Sequence, residues 1–185
     1  MDEVEEYFPG FRAFIDATEQ EIPRPKNQRR RRKSYYSGKK KKHTIKTQYM
    51  VNSEGLILHK TEHKKGRKHD YDVYKNNHPI TPLQVENVLD LGYLGVQNDY
   101  PTGKYKLPFK KKKRGGPELS RKEKCHNRNH SKMRTVIEHT VSRIKKFGIM
   151  GTKFRNRIGK YDHASDIVSG LVNFRIMMRT NQILP

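Results

Sequence analysis

The sequence predicts a mixed α/β domain, a central sheet with helices packed against it, on three observations. The first half carries short apolar runs of strand type separated by turn and charge signals. From Ser120 onward the apolar residues recur instead at steps of three and four, the period of a helix. At 185 residues the chain is long enough for one domain of ordinary size with its own core.

Taken in order, residues 11–15 (FRAFI) form a short strand ending at Asp16. Residues 43–51 (HTIKTQYMV) alternate polar and apolar side chains with β-branched members, as a half-buried strand does. The turn signal NSEG at 52–55 leads into a returning strand at 56–60 (LILHK), which makes a hairpin. Asp70–Asn76 reads as a short helix stopped before Pro79. Residues 85–89 (VENVL) form a strand ending at Asp90, and residues 105–109 supply a fifth. Met133, Val136, Ile137, Thr140, Val141 and Ile144 then mark one face of a long helix that Gly148 stops. A last helix starts after Asp162, an N-cap type of residue, with Ile167, Val168, Leu171 and Val172 on its buried face. This order fits a single layered domain over residues 11–185, preceded by a short extension at 1–10.

Charge narrows the function. The chain holds 41 Lys plus Arg against 19 Asp plus Glu, a formal charge of +22. A polyanion is the natural partner, because each phosphate neutralised by Lys or Arg releases a counterion. An anionic membrane surface fits less well, since no amphipathic helix combines a basic face with a large aromatic one. No apolar run approaches the roughly 18 to 20 residues that span a bilayer, and the acidic N-terminus is unlike a secretory signal. One cysteine, Cys125, permits neither an internal disulfide nor a structural zinc set. The expected compartment is therefore intracellular: the nucleoid region of a prokaryotic cytoplasm, or a nucleus.

The positive charge is gathered in runs at 29–33 (RRRRK), 39–42 (KKKK), 64–68 (KKGRK) and 110–114 (KKKKR). Any one run alone reads as a solvated loop. Four of them punctuating the apolar segments suggest loops on one nucleic-acid-facing side, with Arg30, Arg31, Lys40, Lys41, Lys111 and Lys112 as candidate DNA contacts.

In so basic a chain the informative residues are acidic. Asp16 follows Phe14 and Ile15, and Asp90 follows Val88 and Leu89; either alone is ordinarily a turn former or cap. Glu138 lies at the border of the long helix's apolar face, where an ion pair with Arg134 one turn back is the simplest reading. Together the three describe something else. Two strand-end aspartates and a helix-borne glutamate can converge at one sheet edge, where their repulsion and desolvation call for cations. Hard oxygen donors on a rigid edge suit Mg²⁺ or Mn²⁺, and two such ions serve in-line phosphodiester displacement.

At these residues the sequence resembles the DDE transposases of bacterial and archaeal insertion sequences, in the group related to the eukaryotic Harbinger elements. Residues 15–21 (IDATEQE) are similar to the family's D-x-T strand and carry its first catalytic aspartate onto Asp16. The Tyr, Ser-Gly and lysine block follows at 35–46 (YYSGKKKKHTIK), and the Gly-x-x-His-Asp element at 66–70 (GRKHD). Residues 89–95 (LDLGYLG) resemble the D-x-G-Y-x-G block and place the second aspartate on Asp90. Residues 127–147 (NRNHSKMRTVIEHTVSRIKKF) resemble the family's His, Arg, Glu and Lys-x-F helix, with the catalytic glutamate on Glu138. Five blocks in family order cover nearly the whole chain.

The resemblance implies a ribonuclease-H-like fold and a site of Asp16, Asp90 and Glu138 holding two Mg²⁺ or Mn²⁺ ions. It further implies cleavage at transposon ends, attack of the freed 3′-hydroxyl on target DNA, and a dimer that holds two ends. Asp70 enters as an auxiliary or structural carboxylate. Arg134 and His130 either contact DNA phosphate, orient Glu138, or pair locally. Two features depart from the family. Only 15 residues precede Asp16, too few for the helix-turn-helix domain that relatives carry upstream, so end recognition is expected from a separate chain. Leu91 stands where many relatives have a small or polar residue. A catalytically inactive, truncated DNA-binding remnant is the alternative reading, and a ribosomal-type RNA binder, resting on charge alone, ranks last.

Overall fold

The computed structural model describes residues 3–26, 29–77, 79–111 and 118–180, Arg30 and Arg31 without their side chains. In chain order the elements are α1 (Glu3–Tyr7), β1 (Arg12–Glu21), α2 (Arg29–Tyr35), β2 (Tyr36–Ser37), β3 (Lys42–Asn52), β4 (Ile57–Lys60), β5 (Lys64–Lys65) and α3 (Asp70–Asn76). They continue with β6 (Glu86–Val88), α4 (Val96–Asp99), β7 (Lys104–Lys106), α5 (Arg121–Lys145), α6 (Gly148–Gly151) and α7 (Tyr161–Arg179). This is the predicted mixed α/β order, and its curled mixed sheet between helices is of the ribonuclease-H-like kind.

The sheet is built around the two longest strands. β1 pairs β3 antiparallel from Ala13↔Asn52 to Glu21↔Thr44. On its other side β1 takes only three parallel partners from β6, ending at Phe14↔Val88, and β6 in turn pairs β7 in parallel. β2, β4 and β5 each pair a stretch of β3.

Side-chain alternation along β1 and β3 feeds two cores, one on each face. Phe14, Tyr49 and Val51 pack with Ile137, Ile144, Val168, Val172 and Ile176 beneath α5 and α7. Ala13, Ile15 and Met50 pack with Tyr74, Leu89, Tyr93 and Val96 on the opposite face. Burial on both faces explains why residues 13–15 form a continuous apolar run, and why β3 is buried along most of its length rather than half-buried as expected.

Local signals account for the ends of several elements. Ser120 caps α5 in a capping box with Glu123. The β3–β4 turn holds Gly55 at φ 87, and its carbonyl accepts a bond from the Thr140 hydroxyl of α5 at 2.9 Å. A Cβ on Gly55 would lie 2.7 Å from that hydroxyl, so both the backbone angle and the helix contact require glycine.

Five expectations need correction. The first strand does not end at Asp16 but runs on to Glu21, held by β3 as its partner. The basic run at 29–33 lies in helix α2 rather than a loop, since arginine and lysine are good helix formers. The fifth strand covers only Lys104–Lys106. Gly148 opens α6 instead of stopping α5, which ends at Lys145. In α7, Asp162 lies inside the first turn, and the buried row is Tyr161, Ser165, Val168, Val172 and Ile176. Ile167 and Leu171 fall on the other side and are exposed, in one row with Phe174 and Met178. The helix splits these contiguous apolar residues between two faces.

Candidate active site

Register brings the two aspartates together. Phe14 and Val88 are the last paired residues of β1 and β6, and Asp16 and Asp90 each follow two positions later. There β6 leaves the sheet and turns into a 3₁₀ turn at Leu91–Tyr93, for which Asp90 is the N-cap; its Oδ1 accepts the Gly92 N–H at 2.7 Å. β1 continues past this point, so Asp16 lies at an edge that β6 has vacated. The carboxylates meet because one strand is long and its parallel neighbour short.

A third carboxylate joins them. A Cβ on Gly92 would come within 2.8 Å of Asp90 Oδ1 and 3.4 Å of Asp70 Oδ2, so both aspartates close on the same glycine. Asp70 opens α3 and is paired with Lys46 Nζ at 2.7 Å. Lys46 is almost buried in β3, and its ammonium also donates to the Lys68 carbonyl at 2.6 Å. The carboxylates sense one another. Burial, opposed by Arg134 and reinforced by Asp90 and Asp70, pushes Asp16 up to about 6. Burial and the same three aspartates hold the Tyr93 phenol well above its ordinary range.

Helix α5 faces this edge with one row of side chains, Arg134, Glu138, Val141 and Lys145, spaced at four, three and four residues. Arg134 Nη2 donates to Asp16 Oδ2 at 2.8 Å, while its buried Nε has no hydrogen-bond partner among the described residues. The expected Arg134–Glu138 pair is therefore replaced by a tertiary one. Glu138 is exposed on the same row. Among the described residues, no three acidic, His or Cys side chains stand as a ready-made metal cluster; Arg134 and Lys46 occupy two of the carboxylates instead. His130 is buried, its Nε2 3.3 Å from the Lys106 carbonyl, and burial lowers its pKa. It ties α5 to β7.

A cleft of about 790 Å³ opens beside the carboxylates. Lys33, Lys39 and Lys40 line one part of it, Lys46, Arg67 and Lys68 another, with Asp70 and Lys145. Three of the four basic runs thus meet in one place. Lys41 is exposed on the turn that carries Lys40, and Lys111 is exposed. Lys112 and the side chains of Arg30 and Arg31 lie outside the described residues. Lys145 is a site residue that the sequence reading does not single out. Burial and nearby Lys40 lower its pKa, while Asp16 and Glu19 oppose that shift. Its position seven residues beyond Glu138, on the same row, was the available signal.

A sequence profile of the DDE superfamily endonucleases matches residues 15–173. A probable transposase for insertion sequence element IS702 from Microchaete diplosiphon is 30% identical over 165 residues, which cover 89% of this chain. Those residues span 57% of the relative, little more than half its length. No solved structure matches. Among the described residues no helix is long and apolar enough to cross a membrane.

Proposed function

Since this chain belongs to the DDE superfamily endonucleases, we propose that it is the catalytic core of a DNA transposase that cleaves phosphodiesters at transposon ends and joins them to target DNA. The observation that carries this reading is that Asp16 and Asp90 each stand two residues beyond the last β1–β6 pair, Phe14↔Val88, at a sheet edge beside a lysine-lined cleft. Asp16, Asp90 and Glu138 are the proposed ligands for divalent metal, Mg²⁺ or Mn²⁺ and two ions by family precedent. The donors fit: they are hard carboxylate oxygens, and the burial that chiefly pushes Asp16 upward, with the added repulsion of Asp90 and Asp70, disfavours its charge in the way a bound cation would relieve. When bound, such ions polarise the phosphoryl oxygens and help a water or 3′-hydroxyl to lose its proton.

The chain's own residues do the rest. Lys39, Lys40, Lys68 and Lys145 hold the DNA backbone in the cleft, with Lys41 on the turn beside Lys40 and exposed Lys111 as a further backbone contact. Arg134 acts as a positioning residue: its guanidinium holds Asp16 in place. Lys46 orients Asp70, the auxiliary carboxylate, toward Asp90. His130 supports α5 without touching the reacting groups. A dimer that holds two ends completes the proposed assembly.

The test is cleavage and strand transfer on a labelled duplex carrying candidate ends, with Mg²⁺ or Mn²⁺ and then with EDTA. Metal-dependent products, absent from Asp16→Asn and Glu138→Gln while duplex affinity is kept, are expected. Full activity in the doubly substituted protein would overturn the site. Duplex binding without cleavage by the wild type would instead leave a basic DNA-binding remnant.

A further inference from the structure

Beyond the cleft, two short basic segments are left over: residues 23–26 (PRPK) and 153–157 (KFRNR). They come together where β1 ends. Pro23, Arg24, Pro25, Lys26, Asn156 and Arg157 line a groove of about 340 Å³. Arg24, Lys26, Arg155 and Arg157 are exposed.

The groove is built to hold its shape. Phe154 is buried against Tyr161, and its N–H donates to the Glu21 carbonyl at 2.8 Å, which anchors the segment to the end of β1. On the other wall, Arg32 of α2 donates to the carbonyls of Pro25 at 3.2 Å and Lys26 at 3.0 Å. Two prolines restrict the backbone around Arg24. The cations are therefore displayed from fixed walls. Glu21, the acidic residue at this end of β1, is already paired with Lys42 at 2.6 Å and Lys153 at 2.8 Å. None of the lining residues is an exposed large hydrophobic of the kind that anchors a protein partner.

Resting on the reading of the site as a DNA-processing centre, we propose that this groove is a second phosphate-binding track, gripping the duplex away from the reacting phosphate. Asp16 and Glu21 lie five residues apart on β1. At about 3.3 Å per residue the track begins about 17 Å from the carboxylates. That distance is roughly five base pairs along a duplex axis, at 3.4 Å per nucleotide of a strand. The track sets where the DNA runs and contributes affinity without sequence preference.

The test is equilibrium binding of the full chain to a mixed-sequence duplex of about 25 base pairs, without divalent metal, across a salt series. Cleavage is not needed for this readout, so it stands apart from the metal-site test. Each phosphate contact contributes about 0.9 to the slope of log affinity against log salt. Arg157→Gln should flatten the slope by about 0.9. Arg24→Gln with Lys26→Gln, on the opposite wall, should flatten it by about 1.8. An unchanged slope in both variants, with wild-type binding intact, overturns the track and leaves the DNA reading standing. Failure of the wild type to bind duplex overturns both.

Discussion

Asp16 shows how one residue can be costly to the fold while serving the chemistry of the proposed site. Its folded pKa lies above that of an ordinary aspartate, so the stability it contributes is complete below 3.8 and lost as pH rises through about 6. Asn mimics the neutral form. Asp16→Asn should therefore stabilise the metal-free protein by ~1 kcal/mol at about pH 8, with the gain shrinking toward about pH 5. Urea denaturation at the two pH values measures this, and a variant less stable than wild type at both would contradict it. Gly92 makes the complementary case. A methyl group there meets the Asp90 and Asp70 oxygens. Gly92→Ala should thus lower cleavage by about a hundredfold, the scale of a 1 Å misplacement, while leaving duplex affinity unchanged. Equal losses of binding and cleavage would show that the glycine serves folding instead.

The elements divide by how local their causes are. α5 is legible from sequence because its cap, its period and its length all lie within one segment. Ser120→Ala should cost about 1 kcal/mol in thermal or urea denaturation through loss of the capping box. The basic turn between β2 and β3 is less legible. Lys41 adopts a left-handed backbone, φ 56, where glycine is the ordinary choice. Lys41→Gly should raise stability by about 1 kcal/mol and weaken duplex binding, since it removes strain and a cation together. A gain in stability with no loss of binding would remove Lys41 from the DNA contacts. The far end of β1 is not legible locally, because Thr18, Glu19, Gln20 and Glu21 are all polar. They are strand residues because β3 pairs with every one of them, from Thr18↔Thr47 to Glu21↔Thr44, a cause outside any local window.

At the scale of the whole molecule, a formal charge of +22 sets the electrostatics. Self-repulsion opposes the compact state, and salt or a polyanion screens it. The melting temperature should rise by several degrees between about 20 and about 300 mM NaCl and rise further with duplex DNA. A salt-independent melting temperature would mean that the ion pairs already balance the surface charge. The same excess makes the acidic residues legible as a group: in so basic a chain, aspartates placed among apolar strand residues stand out. Which acid sits with which was not legible. Arg134 chooses Asp16, 118 residues away, over Glu138 one turn along its own helix.

The sequence by itself determined the mixed α/β order, the long capped helix, the basic character and the candidate carboxylates, because periodicity, capping and composition act over a few residues. The tertiary structure alone decided that Asp16 and Asp90 lie side by side, that Asp70 closes on them across Gly92, and that separate basic runs share one cleft. Those outcomes depend on strand register and on β6 ending before β1. Both are set by packing between residues far apart in the chain, where no local pattern records the partner.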